Sequence, residues 1–296
     1  MGGESNGRQR SARCPACGAG QLEHLGHTLY YQSKDRREDV MCEVARCAQC
    51  SLLRQDVPLE ALDGHFDNAS YTSEANEANF RSRRRRLYGV ITSRILPPPD
   101  ESGKQLLDVG ASYGHFMEAA RDAGWRTFGV ESVDACVEIA RAEGLEVNRG
   151  FFPEAVSVDE RFNVVTYVDS FYLMPDPTEA LRATHRLLLP GGYLFLRVTN
   201  RAWLWRIARA FRAGGGLLPM WLMGDALFGF GPRSIRLILI RGGFTDVRVW
   251  SEPARTQPRS GRLVKGLYRL GDAARISTGD RLQLSPGLLV LARKGE

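Results

Sequence analysis

The sequence is short of lysine. Four of its 40 basic residues are lysines (Lys34, Lys104, Lys265, Lys294), so the net charge of +6 rests on arginine. In a chain also rich in glycine and alanine, that bias reads as a compositional habit before it reads as a nucleic-acid surface. No apolar run is long enough to span a bilayer, and the start, MGGESNGRQRSAR, has no signal-peptide core; the expectation is a cytoplasmic protein. No internal repeat is present, which excludes solenoids and propellers. Histidine is scarce, with five in 296 residues, so few places offer an imidazole for catalysis. What remains is ordinary for a folded chain: 43% hydrophobic and 25% charged residues, and length for one large domain plus a small one. The basic excess lies late. From Arg197 to Arg275 there are 15 basic residues against four acids, Asp225, Asp246, Glu252 and Asp272.

Six cysteines in such a chain point to metal or free thiols before disulfides. Cys14 and Cys17 form one C-x-x-C pair, Cys47 and Cys50 a second, 29 residues further on. Two such pairs make two knuckles whose four thiolates can surround a zinc ion tetrahedrally. Four thiolates leave no open coordination position, so the ion is expected to be structural, stabilising a segment too small for its own core. Cys42 is a spare thiol and an alternative ligand, and Cys136 falls in a predicted helix, where it reads as a core thiol.

Residues 1–13 are expected as a disordered tail, 14–60 as a small, zinc-ribbon-like zinc-knuckle segment, and 61–100 as a helical linker or cap. Within the cap, Phe80, Leu87, Val90, Ile91 and Ile95 lie near helical spacing, and PPPD ends the run. From residue 101 strands and helices alternate. KQLLDVG, WRTFGVE, LEVNRG, FNVVTYVDS and GGYLFLRVT read as strands, separated by helices such as HFMEAARDAG and DPTEALRATHRLL. That alternation, with glycine-marked turns, predicts an α/β fold with a doubly wound, mostly parallel sheet. SIRLILIRGG is a late helix, and FTDVRVW and PGLLVLARK are late strands expected to close the sheet edge as an antiparallel pair.

The stretch LLDVGASYGHF, Leu106–Phe116, breaks from a strand into glycines. A phosphate-binding loop would need Gly-Lys-Ser/Thr, but His115 and Phe116 follow Gly114. A dinucleotide fingerprint would need G-x-G-x-x-G, but Gly110 and Gly114 are spaced G-x-x-x-G. Asp108 would repel a pyrophosphate at this turn and suit an ammonium. S-adenosylmethionine (SAM), with its amino-acid end and no phosphate, meets that demand. Glu131, 21 residues after Gly110, stands where an acid binds ribose hydroxyls in nucleotide folds.

With LLDVGASYG, GVES, FNVVTYVDS and LLLPGGYLFL in this order, the sequence resembles class I SAM-dependent methyltransferases over roughly residues 100–295. The resemblance implies a seven-stranded Rossmann-like sheet. It implies Asp108, Gly110 and Gly114, with Ala111 beside them, around the methionine end of SAM. It places Glu131 and Ser132 on the ribose, Phe151 beside the adenine, and Asp169 facing the cofactor pocket. The zinc knuckles, HFDNASY and FGPRSIRLILIRGGFTDVRV narrow it to bacterial enzymes acting on small molecules, often sugars or sugar-linked carriers, or natural products. It implies transfer to a hydroxyl, less often to carbon or nitrogen. RNA methylation and non-catalytic SAM binding are the alternatives. Relatives often read D-x-L-E-H-x-P-D-P after the fourth strand. Here DSFYLMPDP puts Tyr172 and Leu173 in the Glu-His places, and Ala226 stands where another histidine is common. Either the acceptor needs no imidazole, or another residue supplies the base, or activity has been lost. Tyr71, Tyr172 and His115 are the candidates for acceptor contact. His24 and His27 lie in the cysteine segment, His65 in the linker, and His185 reads as a helix-surface residue.

Two basic stretches remain. RSRRRRLY, residues 81–88, carries five arginines on more than one helix face and lacks interleaved aromatics, so a solvated face is favoured over nucleic acid. Residues 201–230 contain a basic amphipathic helix, a glycine hinge at Gly214–Gly216 and a second apolar stretch. The expectation is a lid-like insert over the substrate pocket, with peripheral membrane contact to a lipid-linked acceptor as the sharper reading.

Overall fold

The computed structural model describes residues 13–30, 40–58, 61, 74–98, 104–210, 217–256, 262–279 and 282–296. The expected tail, the linker with His65 and Tyr71, and the glycine hinge at 214–216 lie outside the described residues. Two sheets organise the rest.

The large sheet contains β4 (Gln105–Val109), β5 (Arg126–Glu131), β6 (Glu146–Arg149), β7 (Phe162–Val168), β8 (Leu188–Thr199), β10 (Phe244–Ser251) and β11 (Gly287–Lys294). Its order is β10-β11-β8-β7-β4-β5-β6. Strands β4 to β8 pair in parallel, and β11 and β10 run antiparallel at one edge. This is the expected doubly wound, mostly parallel seven-stranded sheet, with its late antiparallel pair. The near-continuous apolar runs of β7 and β8 follow from burial on both faces. Helices α2 (His115–Asp122), α3 (Asp134–Ala142), α4 (Pro177–Leu187) and α7 (Pro232–Arg241) form the crossovers. Asp176 caps α4, accepting from the amides of Thr178 and Glu179, with Pro177 in its first turn. Helix α1 (Glu74–Val90) runs on into a π-turn at Ile91–Ile95, and its Leu87 and Ile91 are fully buried. Chain order reverses between β4 and β7, so a crevice opens at the carboxyl ends of those strands.

The zinc-ribbon-like segment forms a small second sheet, whose strands show little apolar periodicity in the sequence. It joins β1 (Leu22–Tyr30), β2 (Val40–Cys47), β3 (Leu53–Asp56) and β9 (Phe228–Gly229) in the order β1-β2-β3-β9. The β1–β2 register shifts between His24 and Gly26, and this bulge breaks the alternation that would have marked β1 as a strand. β9 comes from the 201–230 insert. So do α5 (Arg201–Ala210) and α6 (Met220–Met223), whose Trp205, Ala208, Leu222 and Met223 share a buried cluster with Leu25, Val44 and Leu53. The apolar face of α5 is therefore taken up by the small sheet. Among the described residues of the insert, only Asp225 lines the main cavity, so these residues buttress the small sheet and do not roof the pocket. Helix α8 (Arg262–Thr278) fills the stretch between β10 and β11, which carried no assigned element in the sequence. Among the described residues, no helix is long and apolar enough to cross a membrane.

Candidate active site and metal centre

The four paired cysteines come together. Their Sγ atoms all lie within 4.8 Å of one another, with Cys14–Cys50 and Cys17–Cys47 each at 3.5 Å. A tetrahedral zinc–thiolate centre with bonds of about 2.3 Å has sulfur–sulfur edges of about 3.8 Å. The two knuckles repeat one another. The Gly18 amide donates to Cys14 O at 2.8 Å, and the Ser51 amide to Cys47 O at 2.9 Å. Gly18 and Ser51 both take the left-handed conformation that closes such a turn. The donor set therefore fits a structural zinc ion. Cys42 is buried on β2 outside this set, its thiol directed to Val40 O. His24 pairs with Glu43 at 2.7 Å, also outside it.

The crevice at the reversal of strand order is a cavity of about 560 Å³. Gly110, Ala111, Ser112 and Tyr113 form its floor, where the amides of Gly110 and Ala111 donate to Val130 O. Gly110 has φ +77°, and a Cβ there would meet Ser170 Cβ at 2.5 Å. Gly114, with φ +80°, starts α2, and a Cβ there would collide with Leu145. Both positions need glycine for conformation and for space.

Two acids stand over this floor. Asp108 is 2% exposed, and its Oδ1 accepts the Thr166 hydroxyl at 2.7 Å. Burial pushes its carboxyl up to about 7, against the lowering effect of Thr166 and with a smaller raising effect from Glu131. Glu131 is held by three backbone amides: Ser112 on Oε2 at 2.7 Å, Ser132 and Val133 on Oε1 at 2.8 and 2.9 Å. Its carboxylate is thus fixed in the cavity with lone pairs to spare. Ser132 lies beside it, and Phe151, 58% exposed, stands at the mouth. Cys136 lines the same wall, its thiol pushed up to about 12 by burial, as suits a core thiol.

The far half of the cavity is lined by Arg84, Tyr88, His115, Phe116, Asp169, Tyr172 and Asp225. Asp169 ends β7 with φ +67° and is tied to Arg197 and, at 2.7 Å, to Arg84. Burial pushes this carboxyl up, but Arg197 and then Arg84 outweigh it and hold it below the ordinary range. Asp169 is a paired anion on the cavity wall. Tyr172 shifts the other way. Burial, then the carboxylates of Asp169 and Asp225, push its phenol well above its ordinary value. A phenol shifted in this direction favours its protonated form, which can donate a hydrogen bond. The guanidinium of Arg201 lies over its ring at 5.6 Å. His115 is 7% exposed, stacked on Tyr113 at 5.6 Å, with Nδ1 3.5 Å from Glu118 Oε2. His185 is remote, half-buried against Phe244.

Sequence reasoning missed Arg84, Tyr88, Asp225 and the buried Arg197–Glu252 pair. In the sequence Arg84 is one of a run of arginines expected on a solvated face. Its helical phase with Leu87, Tyr88 and Ile91 was the available signal. Seven carboxylates line the cavity (Asp108, Glu131, Glu154, Asp169, Asp176, Glu179, Asp225), and Arg84 is the single guanidinium among the described lining residues. A basic protein thus carries an acidic crevice.

A family model described as "Methyltransferase domain" matches residues 80–249. Over 107 residues the chain is 32% identical to the ubiquinone biosynthesis O-methyltransferase of Pseudomonas aeruginosa (strain UCBPP-PA14), covering 34% of this chain and 46% of that one. It is 35% identical over 107 residues to the protein of the same name from Bordetella bronchiseptica, covering 34% and 44%. The chain spans about half the length of these curated relatives, 46% and 44%. In structure it is similar to a complex of the Haloferax volcanii Trm112 methyltransferase activator with a methyltransferase, at TM-score 0.56 and 18% identity, covering 77% of this chain and 97% of that one. It is also similar to a SAM-dependent methyltransferase of Thermotoga maritima, at TM-score 0.51 and 18% identity, covering 74% and 95%. At these identities the structural likeness is one of fold.

Proposed function

From the premise that the chain belongs to the methyltransferase domain family, we propose that it transfers a methyl group from SAM to a hydroxyl of a small or carrier-linked metabolite. The acidic crevice over the Gly110–Tyr113 floor carries this reading. Asp108 suits the ammonium of SAM, and the amide-fixed Glu131 suits the ribose hydroxyls. Gly110, Ala111 and Gly114 let the backbone approach the methionine end, and Ser132 and Phe151 border the ribose and adenine. SAM supplies a methyl group already activated on a sulfonium. The protein's task is to place the acceptor in line and accept its proton where the nucleophile is weak.

For the acceptor side, His115 is the proposed base. It borders the cavity, and Glu118 stands on its Nδ1 side as the orienting carboxylate such a base requires. Tyr172 and Asp225 position the acceptor, and Tyr71 remains a candidate contact from the linker. The O-methyltransferase names of the curated relatives favour a hydroxyl over carbon or nitrogen. The acid-rich lining disfavours a phosphate-rich acceptor such as RNA at the reacting end. A carrier-linked acceptor has a specific support in the exposed Leu217, Met220 and Trp221, a few residues before cavity-lining Asp225.

Incubating the purified protein with methyl-labelled SAM and a small-molecule extract tests the proposal. Label is expected in a low-mass product, and Asp108→Ala or Glu131→Ala should abolish it. Label in the RNA fraction would favour the RNA alternative. S-adenosylhomocysteine (SAH) binding without turnover on any extract would favour a non-catalytic role.

A further inference from the structure

The four-cysteine sheet is built into the wall of the cavity. β3 begins three residues after Cys50 and pairs with β9 at Leu53–Gly229 and Arg54–Phe228. One residue further, the Gln55 amide donates to Leu227 O at 2.9 Å. The Leu227 amide in turn donates to Tyr172 O at 3.0 Å. Leu227 thus links the metal-bearing sheet to the turn that carries Tyr172, and it lies two residues after Asp225. Side chains repeat the connection. One buried cluster runs from the cysteines and Leu52 to Leu227, Phe230 and Phe171, and Phe171 stacks on Phe230 at 5.3 Å.

The cofactor half is anchored differently. Asp108 is held by Thr166, the floor by Val130, and Glu131 by the amides of residues 112, 132 and 133. These partners all belong to the large sheet and its loops.

We propose that metal binding at Cys14, Cys17, Cys47 and Cys50 positions the acceptor wall, Tyr172 and Asp225, through Leu227, and leaves the cofactor half untouched. The assignment of that wall to the acceptor rests on the methyl-transfer reading above. The mechanical coupling does not. The β1–β3 part of this four-stranded sheet, small and with few core residues of its own, depends on its metal for order. When it loosens, the Gln55–Leu227–Tyr172 ladder loses its outer rail.

Hydrogen exchange on the full chain, with its metal and after chelation, tests this without needing an acceptor. Metal loss is expected to cut protection at least tenfold in peptides covering 171–175 and 222–230. Peptides covering 105–133 should keep theirs, SAH affinity should change less than threefold, and zinc should restore the rest. Gln55→Pro deletes the amide donated to Leu227 and keeps all four cysteines. It should reproduce the loss at 171–175 with one zinc still bound. Unchanged protection at 171–175 and 222–230 after metal removal would overturn the proposal. So would loss of protection throughout, together with SAH binding, since the segment would then support the whole fold. Absence of SAH binding in the metal-loaded chain would instead overturn the methyl-transfer reading and leave the coupling standing.

Discussion

Arg84 reaches from α1 to within 2.7 Å of the Asp169 carboxylate at the end of β7. The other Asp169 oxygen takes Arg197, and Arg197 also donates to Glu252 at 2.7 and 3.0 Å. Four charges thus alternate from the cavity into the interior, ending on a Glu252 that is fully buried. Low-dielectric surroundings make such pairs strong but leave any member costly to orphan. The left-handed conformation of Asp169 is a further cost that these contacts offset.

Arg84→Ala should separate the two halves of the cavity. Asp108 and Glu131 keep their partners, so SAH affinity by calorimetry should change less than threefold. Asp169 loses one of its two cations and Tyr172 gains a less compensated carboxylate neighbour, so label transfer should fall at least tenfold. A loss of SAH affinity matching the loss of transfer would show that Arg84 serves the cofactor half.

Glu252→Gln should destabilise the protein without touching the cavity lining. It leaves the Arg197 guanidinium, 7% exposed at its side chain, with Asp169 as its remaining anionic partner. Breaking a buried pair in this way typically costs about 3–5 kcal/mol, which lowers the melting temperature by roughly 5–15 °C in a domain of this size. Replacing both partners by apolar residues, Arg197→Met with Glu252→Leu, should recover part of that loss. A thermal melt of the single variant within about 2 °C of the parent would contradict the burial of this pair.

These four charges also show where reading the sequence stops. The glycine turn, Glu131 and the cysteine pairs are local patterns, each dictated by residues within a few positions of one another. Asp169 is a different case. Its own neighbourhood offers a strand-end acid, and its state is set by Arg197, 28 residues after it, and Arg84, 85 residues before it. Arg84 was hidden by composition, since five arginines among six residues look alike until packing turns one of them inward. The late strands were legible from their apolar runs, but α8 between them was not. Its Leu270 and Ile276 are exposed, which blurs the apolar stripe that announces a helix.

Glu131→Gln is expected to weaken SAH binding by about 10- to 150-fold, the equivalent of roughly 1.5–3 kcal/mol for hydrogen bonds to a charged group. The neutral amide can still accept, but its NH2 group would face the amides of Ser112 or of Ser132 and Val133, now donor against donor. Stability should fall as well, so calorimetry is best read beside a melt of the ligand-free protein. Unchanged SAH affinity would remove Glu131 from the ribose site.

Asp108 links pH to stability and to binding with opposite signs. Its folded carboxyl, raised to about 7, lies above the value of about 3.9 in an unfolded chain. A raised carboxyl favours the folded state below about pH 4, and that contribution is lost as pH rises through about 7. The ligand-free protein should therefore weaken between about pH 4 and pH 7, and Asp108→Asn, which cannot ionise, should escape this. The variant is expected to be more stable than the parent at pH 8 by on the order of 1–3 kcal/mol and nearly equal to it at pH 4. Binding runs the other way. An ammonium group needs the carboxylate, so SAH affinity of the parent should rise with pH, by up to roughly tenfold per unit below about 7, and then level off. In the variant that slope should vanish along with most of the affinity. A parent whose SAH affinity is flat from pH 5 to pH 8 would remove Asp108 from the ammonium.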